Sequence, residues 1–328
     1  MNKENRDKIK LLFFYFKEFK NINIHKNKLK SLKLLIFAPQ KKIKMQQNKQ
    51  KSTIEIPKIY KLIGQFLQAI SNKWASKYAL WLFFTPIKFP MPKREYSMNE
   101  QSTQYLLDVP SLGKKINIYE YGSGDKLILL VHGWSGRGTQ LFSMADKFIS
   151  NGYKIISFDA PAHGKSESKK TYMKEFVLSI LEIGKKYKDF YAIIGHSLGA
   201  MSSVNAVRLG FKAEKLVCIS GGDLVTDIID DFCQKMNMNK VVWDNIHNYL
   251  NKILKESIHD YSVSNAIQKI NLPTLIIHDE DDIDVSVKCA HSIHKAYPTS
   301  ELMITKGLGH RRILADNAVI QKISEFLN

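Results

Sequence analysis

The sequence is poor in cysteine and holds no long apolar run. Its 328 residues include three cysteines, Cys218, Cys233 and Cys289, without CxxC spacing. We therefore expect neither a disulfide scaffold nor a structural zinc site, and a reducing compartment fits best. Residues 190–207 are free of Asp, Glu, Lys and Arg, but this stretch contains a Gly-His-Ser-Leu-Gly turn and indicates a buried strand followed by a helix rather than a membrane span. The apolar residues 11–16 are too few for a signal-peptide core, so we predict a cytoplasmic protein.

Positive charge is concentrated in the N-terminal third of the chain. The net charge is +18, and residues 1–100 carry 22 Lys and Arg against 6 Asp and Glu, whereas residues 101–328 carry 27 against 25. Only six of the 49 basic residues are arginine, the residue that binds phosphate through two parallel hydrogen bonds. We interpret the lysine excess as a compositional bias and expect no nucleic-acid partner. The alternative is nucleic-acid binding by the lysine-rich tail, which retention of the 1–100 fragment on DNA would support.

The first hundred residues predict two segments ahead of the main domain. Residues 1–56 are expected to form a basic, poorly ordered extension. Residues 57–84 predict one amphipathic helix, because Pro57 stands at a favoured start and apolar residues recur every three or four positions. This helix either packs on the main domain, which we favour, or makes a peripheral membrane contact. Three prolines within residues 85–95 predict an extended linker that leads to residue 102.

From residue 103 the pattern predicts a mostly parallel α/β sheet flanked by helices. Two early strands lie close together, and strict strand–helix alternation follows. Central strands such as LILLV and YAIIG are apolar throughout, as expected where helices cover both faces of a sheet. The predicted strands are 105–109, 115–121, 127–132, 153–159, 190–195, 215–220, 274–279 and 301–305. The predicted helices are 139–150, 171–187, 198–210, 286–297 and 316–327. Residues 222–262 interrupt the rhythm and predict a helical insertion that forms a lid.

The sequence GHSLG at residues 195–199 carries the central chemical signal. It matches G-x-S-x-G, follows a predicted strand and opens a predicted helix, which is the context of a nucleophile elbow. We therefore predict Ser197 as the nucleophile, with glycine at 195 and 199 allowing close backbone approach. The alternative is a Gly/Ser turn without chemistry.

A serine hydroxyl needs a base and an orienting acid. His310 is predicted as the base because it follows the last strand, late in the chain and after an acidic turn. The acid is predicted as Asp282, with Asp284 second and Asp223 third, since several carboxylates follow the strand that ends near residue 279.

Backbone N–H groups must also hold the developing oxyanion. Trp134 follows a predicted strand and enters a glycine-rich loop, and its N–H together with that of Leu198 is predicted to form the oxyanion hole. The alternative is a turn needed only for packing. No metal or organic cofactor is expected, because the proposed chemistry requires none.

Five motifs carry a resemblance to a known family: LLVHGW, FDAPAHGKS, GHSLGA, PTLIIHDEDD and GLGH. Residues 103–328 resemble the α/β-hydrolase superfamily, in particular its single-domain lipase-, esterase- and aminopeptidase-like members. The resemblance implies the triad Ser197, Asp282 and His310 with the oxyanion donors named above. One position departs from the pattern, since Asp279 stands where the family usually has glycine.

These observations predict a serine hydrolase that cleaves a carboxylic ester through an acyl-enzyme. Thioesterase and peptidase activities share the same triad, and a non-catalytic, membrane-associated binding module is the alternative from another class. Apolar residues of the insertion, with Trp134, either line an acyl pocket or form a hydrophobic face under the lid. They are Phe232, Met236, Met238, Trp243 and Tyr249.

Overall fold

A computed structural model describes residues 56–328, in which eight strands form one sheet. The strands are β1 Thr103–Val109, β2 Lys114–Tyr121, β3 Lys126–Val131, β4 Tyr153–Asp159, β5 Phe190–His196, β6 Ala213–Ile219, β7 Thr274–Asp279 and β8 Glu301–Thr305. All eight predicted strands are confirmed, with ends that differ by at most two residues.

The sheet order is β1-β2-β4-β3-β5-β6-β7-β8. Strand β2 pairs antiparallel with β1 and with β4, and every later pairing is parallel. The predicted antiparallel start and parallel remainder are therefore confirmed. Because parallel strands end at the same edge, the loops that follow β3, β5, β6, β7 and β8 share one side of the sheet, where ligands bind in open α/β folds.

Two hydrophobic cores lie on opposite faces of the sheet. In β3, Leu129 and Val131 belong to one core, and Ile128 and Leu130 belong to the other. Successive side chains of a strand point to opposite faces, so a strand covered on both sides must be apolar at every position. The continuous run LILLV is explained by this burial.

Helices cover both faces of the sheet within the described residues. They are α1 Lys58–Ile70, α2 Asn72–Phe83, α3 Tyr96–Gln101, α4 Phe142–Ser150, α5 Met173–Tyr187, α6 Leu198–Arg208, α7 Val225–Met236, α8 Lys240–Leu254, α9 Val263–Ile267, α10 Lys288–Ala296, α11 Gly309–Arg312 and α12 Asn317–Leu327. Short 3-10 turns occupy Lys93–Glu95, Gly138–Leu141, Ile258–Tyr261 and Ile313–Ala315. The predicted insertion is helical, since it contains α7 and α8.

The prediction of one helix over residues 57–84 is wrong. The chain forms α1 and α2 instead, and the break lies at Ser71, which has an extended backbone (φ −164°, ψ 124°). The Ser71 N–H still donates to Leu67 O, and the Ser71 carbonyl accepts from Trp74 and Ala75, so the break leaves these backbone groups paired. Apolar periodicity continues across the break because both helices bury an apolar face, and sequence spacing alone does not reveal the turn.

The two N-terminal helices pack on the insertion, as the favoured interpretation expected. Asn239 donates to Asn72 Oδ1 at 2.9 Å, and Asn245 donates to Ser76 Oγ at 3.0 Å. A Cβ atom at Gly64 would lie 2.3 Å from Met238 Cε, so glycine lets α1 approach the insertion closely. Among residues 56–328, no helix is long and apolar enough to cross a membrane. The expected basic extension lies, apart from Ile56, outside the described residues.

Candidate active site

Ser197 stands at the sharp turn between β5 and α6. Its backbone has φ 56° and ψ −121°, a strained conformation typical of a nucleophile elbow. A Cβ at position 195 would lie 2.6 Å from Ala200 N, and a Cβ at 199 would lie 2.3 Å from Val131 O. Close backbone packing therefore requires glycine at both positions, as predicted. The turn leaves Ser197 partly exposed at the N-terminus of an 11-residue helix, whose dipole favours negative charge.

The structure brings His310 and Asp282 together across 28 residues of sequence. His310 Nδ1 lies 2.7 Å from Asp282 Oδ2, and the Asp282 side chain is fully buried. Burial opposes ionisation of Asp282, but hydrogen bonds from His278 and His310 outweigh it and hold the pKa of this carboxyl well below its usual range. Since an ionised carboxylate only accepts, Nδ1 of His310 is the donor in this bond, and Nε2 is the ring nitrogen that remains for other contacts.

The other two candidate acids, Asp284 and Asp223, make different hydrogen bonds. The Asp284 backbone N–H donates to Asp282 Oδ1 at 2.9 Å, so Asp284 helps to shape the turn that presents Asp282. Asp223 accepts from Ser264 N at 2.8 Å and from Ser292 Oγ at 2.7 Å, in a separate network. This geometry favours Asp282 among the three carboxylates.

His196 connects the elbow with the loop that carries His310. The two rings lie 4.7 Å apart, and His196 Nε2 donates to the His310 carbonyl oxygen at 2.8 Å. Burial and the nearby His310 lower the pKa of His196 well below its usual value, so this ring stays neutral. His196, directly before Ser197 in the chain, therefore binds the backbone of the loop that carries His310.

The loop after β3 lies against the nucleophile and is held by side chains. A Cβ at Gly133 would lie 3.0 Å from Ser197 Cβ. Three of its backbone N–H groups bind side chains: Gly133 to Gln140 Oε1 (3.2 Å), Ser135 to His163 Nε2 (3.0 Å) and Gly138 to Asp159 Oδ1 (2.7 Å). The N–H groups of Trp134 and Leu198, the two predicted oxyanion donors, have no acceptor within residues 56–328.

Two buried histidines beside this loop are structural. His132 Nε2 accepts from Ala160 N, and His163 Nε2 accepts from Ser135 N, each at 3.0 Å. Burial lowers the pKa of both imidazoles, most strongly that of His163. Neutral rings can accept these backbone bonds, so the two histidines support the loop after β3. The sequence analysis missed this role, and its signals were the motifs LLVHGW and FDAPAHGKS, which contain His132 and His163.

The proline-rich segment after α2 is bound to the same loop. Residues 85–92 contain no helix or strand, as predicted, but the extended linker is shorter than expected, because Lys93–Glu95 form a 3-10 turn and Tyr96–Gln101 form α3. Ile87 N donates to Ser135 Oγ at 3.0 Å, and Arg137 Nη2 donates to the carbonyls of Phe89 and Pro90 at 2.7 and 3.2 Å. The buried Glu95 accepts from Thr139 Oγ1 at 2.7 Å. Residues 85–92 therefore form a strap that is bound to the loop after β3.

Apolar residues of the insertion contact the N-terminal helices. Phe232 packs edge-on against Phe83 with ring centroids 5.2 Å apart, and Tyr249 lies 5.6 Å from Phe84. Trp243 donates to Asp230 at 2.5 Å on the exposed side. These contacts agree with the interpretation of a hydrophobic face under a lid and give no support to an acyl pocket built from these residues.

One group of side chains could in principle hold a cation. Single ligand atoms of Asp282, Asp284 and His310 all lie within 4.8 Å of one another. Asp282 and His310 are already each other's hydrogen-bond partners, so this arrangement is explained without a metal.

Comparison with known proteins agrees with the fold. Residues 126–221 match the family model of the alpha/beta hydrolase fold. A 2-hydroxy-6-oxononadienedioate/2-hydroxy-6-oxononatrienedioate hydrolase of Escherichia coli O139:H28 is 31% identical over 140 residues, which cover 38% of this chain and 46% of that protein. The chain thus spans about half the length of the curated relatives that it matches.

Solved structures show the same architecture. A Pyrococcus furiosus esterase is similar with a TM-score of 0.57 and 18% identity, over 74% of this chain and 96% of that one. A Bacillus anthracis bromoperoxidase is similar with a TM-score of 0.54 and 17% identity, over 69% and 99% of the two chains. At these identities the likeness concerns the fold. The eight-stranded sheet has the α/β-hydrolase fold, and the match at residues 126–221 includes the elbow and the loop after β3.

Proposed function

We propose that this protein is a serine hydrolase that cleaves a carboxylic ester, or a related acyl compound, through an acyl-enzyme. The observation that carries the proposal is the hydrogen-bonded pair of His310 and the buried Asp282, since the residue before a serine in the elbow conformation, His196, binds the His310 carbonyl. The family and the names of its relatives support hydrolysis in general. The ester bond and the residue roles are the proposal.

Each step of the proposed hydrolysis uses side chains and backbone N–H groups described above. His310 Nε2 accepts the Ser197 proton as Oγ attacks the carbonyl carbon, and Asp282 stabilises the imidazolium that forms. The N–H groups of Trp134 and Leu198 hold the oxyanion. His310 then protonates the leaving oxygen, and the acyl group stays on Ser197. Water, deprotonated by His310, attacks the acyl carbon and releases the acid and free serine.

A fluorophosphonate probe tests the nucleophile. The wild-type protein is expected to be labelled, and Ser197→Ala is expected to lose both labelling and ester hydrolysis. Ser202→Ala is the matched control, because this serine lies on α6 near the elbow, is fully buried and bonds only the Leu198 carbonyl at 2.7 Å. Equal labelling of the wild type and Ser197→Ala would exclude Ser197 as the nucleophile.

A substrate panel tests the bond that is cleaved. Esters of increasing acyl length are assayed beside a thioester, a peptide and an oxo dicarboxylate of the kind named for the curated relatives. The last compound represents a second candidate activity, which the 31% match over 140 residues favours. Turnover of the dicarboxylate without turnover of any ester would replace the proposed substrate class and leave the same serine mechanism.

The non-catalytic alternative has less support. It relies on a membrane contact through residues 57–84, yet Ala75, Tyr78 and Ala79 are buried within the protein. Leu62 and Ile70 remain exposed on α1. Sedimentation with anionic vesicles tests this contact independently of hydrolysis.

A further inference from the structure

Asp279 is a buried carboxylate at the carboxyl end of β7, three residues before the proposed acid. Its side chain accepts four hydrogen bonds. The donors are Asp281 N (3.0 Å) and Gly309 N (2.8 Å) on Oδ1, and Leu308 N (3.0 Å) and Thr305 Oγ1 (2.7 Å) on Oδ2. The residue is wholly inaccessible to solvent.

Three of these donors belong to two different loops, and the fourth, Thr305, ends β8. Asp281 lies in the turn that presents Asp282, whereas Leu308 and Gly309 directly precede His310. The strands before these loops are neighbours, with Asp279 paired to Thr305 in the sheet. The Asp279 carboxylate therefore connects the turn that contains Asp282 with the loop that contains His310, at the point where the hydrogen bonds between β7 and β8 end.

Ionisation of this carboxylate strengthens the junction. Burial opposes the charge, but bonds from Gly309, Thr305, Leu308 and Asp281 outweigh it and lower the pKa of Asp279. Hydrogen bonds to an ionised acceptor are shorter and stronger than those between neutral groups. The two loops are thus held together throughout the neutral pH range.

We infer that Asp279 is a positioning residue that sets the separation of Asp282 and His310 by binding the backbone on both sides of the pair. It touches neither substrate nor the reacting atoms. The inference rests on the proposed function for its kinetic consequence, but the geometry of the pair can be measured without turnover.

Asp279→Asn is the first test. The amide has one acceptor oxygen, so its NH₂ group must face N–H donors of at least one loop. Small misplacements of a catalytic group cost on the order of 10²-fold in rate. We expect kcat and the fluorophosphonate labelling rate to fall about 10²-fold, while KM stays within about twofold of the wild type.

The proton resonance of the His310 Nδ1–H provides a readout that needs no activity. A hydrogen bond to a carboxylate shifts this resonance far downfield, and its absence in His310→Gln identifies it. In Asp279→Asn we expect the resonance to move upfield or to broaden beyond detection. If the wild type shows the resonance but neither labels nor hydrolyses, the proposed function fails while the inference about Asp279 is still tested.

Asp316→Ala is the matched control for lost stability. Asp316 also binds a backbone N–H with its carboxylate, that of Val319 at 3.0 Å, but it begins α12 outside the catalytic loops. This variant should lower Tm without changing kcat or the resonance. If Asp279→Asn does not fold, Asp279→Gly removes the carboxylate without adding a competing donor, and the same losses are expected. A folded variant of Asp279 with kcat within about threefold of Asp316→Ala and an unchanged resonance would overturn the inference.

Discussion

Replacing Asp282 by asparagine should abolish the proposed hydrolysis without disrupting the turn that contains this residue. Asp282 Oδ1 accepts the backbone N–H groups of Asp284 and Val285, each at 2.9 Å, and Oδ2 lies 2.7 Å from His310 Nδ1. In the variant the amide oxygen is expected to keep the two backbone bonds. The NH₂ group then donates to His310 Nδ1, so Nδ1 must be the unprotonated nitrogen of the ring.

The number of hydrogen bonds that each orientation of the asparagine amide keeps decides which orientation is adopted. The opposite amide orientation would leave two buried N–H groups without an acceptor, at about 1–3 kcal/mol each, so it does not compete. With Nδ1 of His310 as an acceptor, Nε2 carries the proton and cannot take the one on Ser197. The same substitution in a serine protease triad lowers kcat about 10⁴-fold, equivalent to about 5.5 kcal/mol of transition-state stabilisation.

The assay is the pH dependence of kcat for an ester from the panel, measured for Asp282→Asn and Asp284→Asn. Asp284→Asn is the control, because Asp284 contributes its backbone N–H to the turn and the substitution keeps that group. We expect the control to retain kcat within about tenfold of the wild type, since it removes no bond of the triad. If Asp284→Asn shows the large loss and Asp282→Asn does not, the assignment of the acid is refuted.

Further predictions concern the elbow, pH and the strap. Gly199→Ala places a Cβ 2.3 Å from Val131 O, so it should lower the free energy of unfolding by about 3 kcal/mol or more in urea titrations; an unchanged midpoint would contradict the packing described. Asp279 and Asp282 have pKa values below the unfolded value of about 3.9. Their stabilisation is therefore complete above the unfolded pKa and is lost as the pH falls through the folded pKa, so Tm should drop in acid, and less steeply in Asp282→Asn. Arg137→Ala removes both bonds to the strap carbonyls, so residues 85–92 should be cut faster by a protease and kcat/KM should fall about tenfold, whereas equal cleavage rates would show that the strap is held by other contacts.

Strand positions could be predicted from the sequence because their cause is local. A strand buried on both faces needs an uninterrupted apolar run, and the runs in β3 and β5 stand between turn residues. The elbow could also be predicted, since Gly195 and Gly199 flank Ser197 at fixed spacing. The single long helix was mispredicted because apolar spacing continues through Ser71, where packing of α1 and α2 on the rest of the protein compensates for the break.

What the sequence by itself determined was the order of the eight strands and of the helices between them, the nucleophile candidate and the edge of the sheet where the candidate site lies. These depend on residue spacing within single elements. Only the tertiary structure decided which of several neighbouring carboxylates meets His310, that Asp279 binds the backbone of both loops instead, and that residues 85–92 bind the loop after β3. Such contacts join segments 28 to 48 residues apart, and they depend on where folding places each loop rather than on any local pattern.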